Sequence, residues 1–206
     1  DGEAFSPNTS ILINIDSTAP EVILNKKSTV TEKNNYILEG SLKDLNGIKE
    51  ITITQNDNNI PVNFNEQTKE FSANFDLQEG LNPYVITTSD LIGNKEDYSS
   101  ELEGSTIILD TLPPQIFLIE PDNKGTLIEG ESVILQIKDL KIKDVTYSIN
   151  RATPVSFNGN YELIPSPPSW NQGTNTLKVI AEDHVGKTTI KVYNFDFFND
   201  YKSLVK

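Results

Sequence analysis

Apolar and polar residues alternate with a period of two along most of this chain, and they show no convincing helical period. The clearest rows are Tyr36, Leu38, Leu42 and Tyr84, Ile86, Thr88, followed later by Val133, Leu135, Ile137 and Leu177, Val179, Ala181. Residues two apart on a strand share a face, so each row predicts a strand with one side turned into a core. Clusters of Gly, Asn, Asp and Pro separate the rows and predict turns. Strands are expected near 21–25, 36–44, 48–56, 60–65, 70–77, 83–90 and 95–109. A second set is expected near 115–120, 132–139, 142–150, 153–158, 160–164, 176–183 and 188–198.

The two sets are copies of one unit. Asp16-Ser17-Thr18-Ala19-Pro20 recurs as Asp110-Thr111-Leu112-Pro113-Pro114, Pro61-Val62-Asn63-Phe64-Asn65 as Pro154-Val155-Ser156-Phe157-Asn158, and Asp90-Leu91-Ile92-Gly93-Asn94 as Asp183-His184-Val185-Gly186-Lys187. Such register over the length of a unit is the signature of an array. Seven short strands per unit fit an immunoglobulin-like sandwich, so the expected fold is all-β: two tandem immunoglobulin-like (fibronectin type III-like) β-sandwiches. The expected domains are 17–111 and 112–206. Residues 1–16 read as the last strand of a preceding repeat plus a linker, or else as a disordered leader. Prolines 20, 113 and 114 stiffen the entry to each unit.

Each of the four rows runs on to an aspartate: Asp44, Asp90, Asp139 and Asp183. In this topology the second and sixth strands lie in opposing sheets, so their last inward residues meet at one pole, where the chain enters through Asp16 or Asp110. Two carboxylates about 5 Å apart repel by about 3 kcal/mol at an effective dielectric of about 20. Two arrangements offset that repulsion. Calcium takes six to eight oxygen ligands, and its expected ligands are Asp16, Asp44, Asp90, Asp110, Asp139 and Asp183. Alternatively each aspartate caps the backbone N–H groups of its own turn.

Composition narrows the partners. The 206 residues carry 30 acidic and 17 basic side chains, a formal charge of -13. Such a surface repels phosphate backbones and anionic lipid, so neither nucleic acid nor membrane insertion is expected. Cysteine is absent, which removes disulfides and thiolate chemistry, and methionine is absent too, so the chain reads as a processed or excised piece. The single histidine, His184, falls in a hairpin loop without a serine in a strained turn nearby. No catalytic residue and no enzyme activity are expected. Trp170 with Tyr161 forms either an aromatic platform for a sugar or peptide, or packing within the sandwich. Asn8-Thr9-Ser10 fits a glycosylation sequon.

The Asp-Thr-x-x-Pro junction, the Gly-x-Asn before an alternating strand and the Asp-x-x-Gly-Asn hairpin resemble the tandem bacterial and archaeal immunoglobulin-like domains of large cell-surface proteins and adhesins. The second unit departs from that pattern at Lys187, where Asn is usual. The resemblance implies non-enzymatic modules of an extracellular stalk, adhesin or surface-layer protein. It implies neighbouring repeats of the same parent chain, other surface proteins or glycans as partners. Calcium at domain junctions in some relatives carries over to the six aspartates. The alternative is a ligand- or carbohydrate-binding accessory region of a secreted enzyme.

Overall fold

The structure is a computed structural model and describes residues 15–121, 125–156, 161–165 and 170–200. The sequon at Asn8 and nearly all of residues 1–16, expected as the last strand of a preceding repeat plus a linker, lie outside the described residues. In chain order the strands are β1 (Glu21–Leu24), β2 (Thr29–Thr31), β3 (Asn35–Lys43), β4 (Ile48–Gln55), β5 (Asn58–Ile60), β6 (Val62–Phe64), β7 (Glu70–Asp76), β8 (Gly80–Asn82), β9 (Val85–Asp90), β10 (Lys95–Ser99) and β11 (Ile107–Leu109). They continue as β12 (Gln115–Glu120), β13 (Thr126–Ile128), β14 (Ser132–Lys138), β15 (Ile142–Ile149), β16 (Val155–Ser156), β17 (Tyr161–Pro165), β18 (Gly173–Asp183) and β19 (Thr188–Phe198). Among the described residues there is no helix.

The chain forms two compact units. The first takes in residues through Ser28, Asn35–Asp76 and Asn82–Thr106; the second takes in Thr29–Asn34, Leu77–Leu81 and the residues from Ile107 onward. In the first, one sheet has the order β1-β3-β7-β6 and the other β10-β9-β4-β5. Taking β1, β3, β4, β6, β7, β9 and β10 as the seven principal strands, the first, second, fifth and fourth share one sheet. The third, sixth and seventh share the other, which is the immunoglobulin-like arrangement. The alternating rows supply the core: Leu38 and Leu42 of β3 and Phe71, Ala73 and Phe75 of β7 are buried, as are Ile53 of β4 and Ile86 of β9. Phe75 meets Tyr84 edge-on at 5.5 Å between ring centroids. Each buried Leu, Ile and Phe among them contributes about 1.5–3 kcal/mol.

The second unit repeats the plan, with sheets β12-β14-β17 and β13-β19-β18-β15-β16. Its core gathers Val133, Leu135 and Ile137 of β14, Leu177, Val179 and Ala181 of β18, and Phe195 and Phe197 of β19. β13 pairs only with Asp196–Phe198, so among the described residues β19 from Thr188 to Asn194 has β18 on one side and no strand on the other.

Two expectations change. The strand expected over 95–109 is broken into β10 and β11 by a turn at 100–106, where the Ser105 N–H donates to the Ser100 carbonyl at 2.7 Å and Gly104 takes a φ of 66°. The turn carries Ser100 and Ser105 into the interior, and the Ser105 hydroxyl bonds Tyr98. Strands β2, β8 and β13, each three residues long, also form where none is expected. β2 and β13 pair in parallel with distant strands, Thr29 against Ile107 and Thr126 against Asp196.

Candidate functional site

The six aspartates assemble into two clusters, one in each compact unit. Asp16, Asp44 and Asp90 bring carboxylate oxygens within 4.8 Å of one another, and so do Asp110, Asp139 and Asp183. The placement follows from the strands. Asp90 and Asp183 end β9 and β18 with their side chains completely buried, while Asp44 and Asp139 follow β3 and β14 and are partly buried. Asp16 precedes β1, and Asp110 follows β11 and is buried.

Turn capping occupies one oxygen of most of these groups. Asp90 Oδ1 accepts the N–H groups of Ile92, Gly93 and Asn94 at 3.0, 2.6 and 2.8 Å. Asp183 Oδ1 accepts those of Val185 and Lys187 at 2.9 and 2.8 Å. Asp44 Oδ1 takes the Asn46 N–H, Asp139 Oδ1 the Lys141 N–H, and Asp16 Oδ1 both the N–H and the hydroxyl of Thr18.

The second oxygens distinguish the clusters. In the first, the Asn94 side-chain amide donates to Asp90 Oδ2 at 2.7 Å and the Asn46 amide donates to Asp16 Oδ2 at 2.6 Å. Asn94 also reaches the carbonyls of Asp16 and Thr18, both at 3.3 Å, and so ties the entering chain to the hairpin. In the second cluster Asp110 Oδ2 and Asp183 Oδ2 are buried without a hydrogen-bond partner. Lys187 stands where the first unit has Asn94, but its ammonium donates to the Asp110 carbonyl at 3.1 Å and pairs with Glu32 at 3.3 Å.

The electrostatics follow the donors. Thr18 and Asn46 hold the Asp16 carboxyl below its usual range. Burial pushes Asp90 upward, but the Asn94, Gly93 and Ile92 donors outweigh it and the net shift is downward. Asp110 goes the other way. Burial, then the charges of Asp139, Asp183 and Glu79, push it up to about 6, against a partial opposing pull from the Leu112 N–H. Carboxylate oxygens gathered within 4.8 Å of one another repel while they are ionised, and least screened where they are buried.

Further groups frame the second cluster. Glu79 grips the chain just after Asp110, accepting the Thr111 N–H at 3.1 Å and its hydroxyl at 2.6 Å. Gln172, the counterpart of Glu79 in the repeat, instead accepts the Asn199 N–H just after β19, at 3.1 Å. A groove of about 300 Å³, lined in part by Glu79, Asp110, Lys138 and Asp139, opens beside the carboxylates. Neither the amides nor Glu79 is singled out by the sequence reading. The available signals were an Asn two residues after Asp44, another four after Asp90, and the change to Lys at 187.

Trp170 is not displayed on a surface. Trp170 is 5% exposed and meets Phe195 edge-on at 5.6 Å, so its ring faces the core, where a sugar has no access to it. At Trp170 the arrangement is the packing alternative. Tyr161 lies on β17 opposite Gln136, and its side chain is outside the described residues. His184 is exposed, with its backbone N–H bonded to the Lys141 carbonyl.

No protein-family model and no curated protein matches the chain. Among solved structures it is similar to the fibronectin(III)-like modules of Clostridium thermocellum CbhA, with 12% identity over 87% of this chain and 94% of that one at a TM-score of 0.40. It is similar to a Ca2+-stabilized adhesin of an Antarctic bacterium, with 12% identity over 90% of this chain and 50% of that one at a TM-score of 0.35. A third is the Bacteroides ovatus glucan-utilization protein SGBP-B in complex with a mixed-linkage heptasaccharide, with 14% identity, 88% and 48% coverage and a TM-score of 0.34. The chain spans about half the length of these last two, and identities this low carry no ligand or role across. The order of the strands is itself decisive: the chain is a tandem of immunoglobulin-like β-sandwiches.

Proposed function

We propose that the chain supplies consecutive non-enzymatic structural modules of an extracellular surface protein, a stalk, adhesin or surface-layer protein, and that calcium bound by clustered aspartates stiffens it. The observation that carries the reading is the gathering of three carboxylates at the same place in both repeats. Repetition of a unit suits a part that extends or connects other parts. The oxygen-only donor set suits a hard cation, and the strongly acidic surface favours cations generally.

Thermal unfolding of the whole chain in excess calcium and in excess chelator tests the metal. A ligand that binds the folded state alone raises the midpoint by mass action, so the midpoint rises in calcium and returns in chelator. Superimposable curves would leave turn capping as the sole work of the aspartates.

A further inference from the structure

We infer that the two aspartate clusters are not equivalent and that the chain binds one divalent cation, at Asp110, Asp139 and Asp183. The inference rests on the proposed reading that clustered aspartates hold calcium, and it names which cluster does so. The two share three carboxylates and the same turn caps. They differ in what meets the oxygens left over.

In the first cluster neutral amides already meet them: Asn94 closes Asp90 Oδ2 and Asn46 closes Asp16 Oδ2. A cation there would have to displace both donors and the tie that Asn94 makes to the entering chain. The first cluster leaves no buried carboxylate oxygen without a donor. In the second, Asp110 is 1% and Asp183 0% exposed, and each leaves one buried oxygen without a donor while contributing to the same group of converging oxygens. A buried anionic oxygen without a partner is among the least tolerable groups in a fold, and two within one cluster also repel.

The nearby cation does not relieve them. Lys187 spends its ammonium on Glu32 and on the Asp110 carbonyl. A hard dication accepting only oxygen ligands meets both orphaned atoms at once, with partly buried Asp139 as the third carboxylate. With neither His nor Cys in the cluster, a hard cation such as calcium is favoured over softer transition metals.

Isothermal titration of the whole chain with calcium tests this, using Asp139→Asn and Asp44→Asn as matched variants. In each, the amide oxygen still accepts the N–H two residues on, so the turn cap is retained. The expected result is one site per chain, weakened about tenfold or more by Asp139→Asn and unchanged by Asp44→Asn. The calcium-induced shift in melting midpoint supplies a second readout, lost in the first variant and kept in the second. Two sites, or equal weakening by both variants, would overturn the inference and leave the calcium reading standing. A titration without binding would overturn both.

Discussion

Asn175 shows how much one polar side chain can organise. It is 1% exposed, and its amide donates to the carbonyls of Asn171 and Gly173, both at 2.7 Å, while its oxygen accepts the Asn171 N–H and the Asn150 amide at 2.8 and 2.6 Å. Every bonding position of the amide is filled, and the loop into β18 is fixed by it. Asn175→Ala strands those partners inside the protein. Urea unfolding is expected to show a loss of about 2–4 kcal/mol, with a lower midpoint and an unchanged slope. At this scale sequence is half legible. The Asn of the Gly-x-Asn motif is visible, but its four bonds depend on Asn150 and Asn171 arriving from other segments. Which of the two oxygens of Asp90 or Asp183 is capped and which faces the cluster is likewise a property of rotamers, absent from letters alone.

Among the elements, the hairpin after β9 offers a test of sign. The Asp16 and Asp90 carboxyls are held below their ordinary value of 3.8, so what they contribute is fully present above that pH. It is lost as pH falls through the depressed folded values. Acid titration followed by unfolding is therefore expected to show the midpoint falling below about pH 4. Asp90→Asn, which places a second amide against Asn94, is expected to be less stable at neutral pH and to show a shallower acid decline. The strand leading into this hairpin, β9, was readable because its alternation buries every second residue and leaves few alternatives. β2 and β13 were not, because three residues give too short a period and the pairing that makes them strands comes from residues 70 or more positions away.

For the whole molecule, a charge of -13 spread over a small protein sets up self-repulsion that unfolding relieves. Raising monovalent salt from about 0.01 to 0.15 M shortens the screening length from about 30 to 8 Å. The thermal midpoint is expected to rise over that range in the presence of chelator, which differential scanning calorimetry measures. The doubling of the chain was plain in its repeats. The composition of each compact unit was less so, because Thr29–Asn34 and Leu77–Leu81 join the second unit through pairings such as Thr29 with Ile107.

Among the described residues no strand covers the flank of β19 from Thr188 to Asn194, and that bears on the company such a protein can keep. Open backbone from Thr188 to Asn194 is a template on which a stray chain could add, and outward Ile190 and Val192 would welcome it. Lys191 sits between them, and an ammonium on a strand rim makes a flat, dry seam costly to close. Many copies crowded side by side would therefore resist fusing into fibrils, and replacing that lysine with valine would remove the safeguard without touching the core.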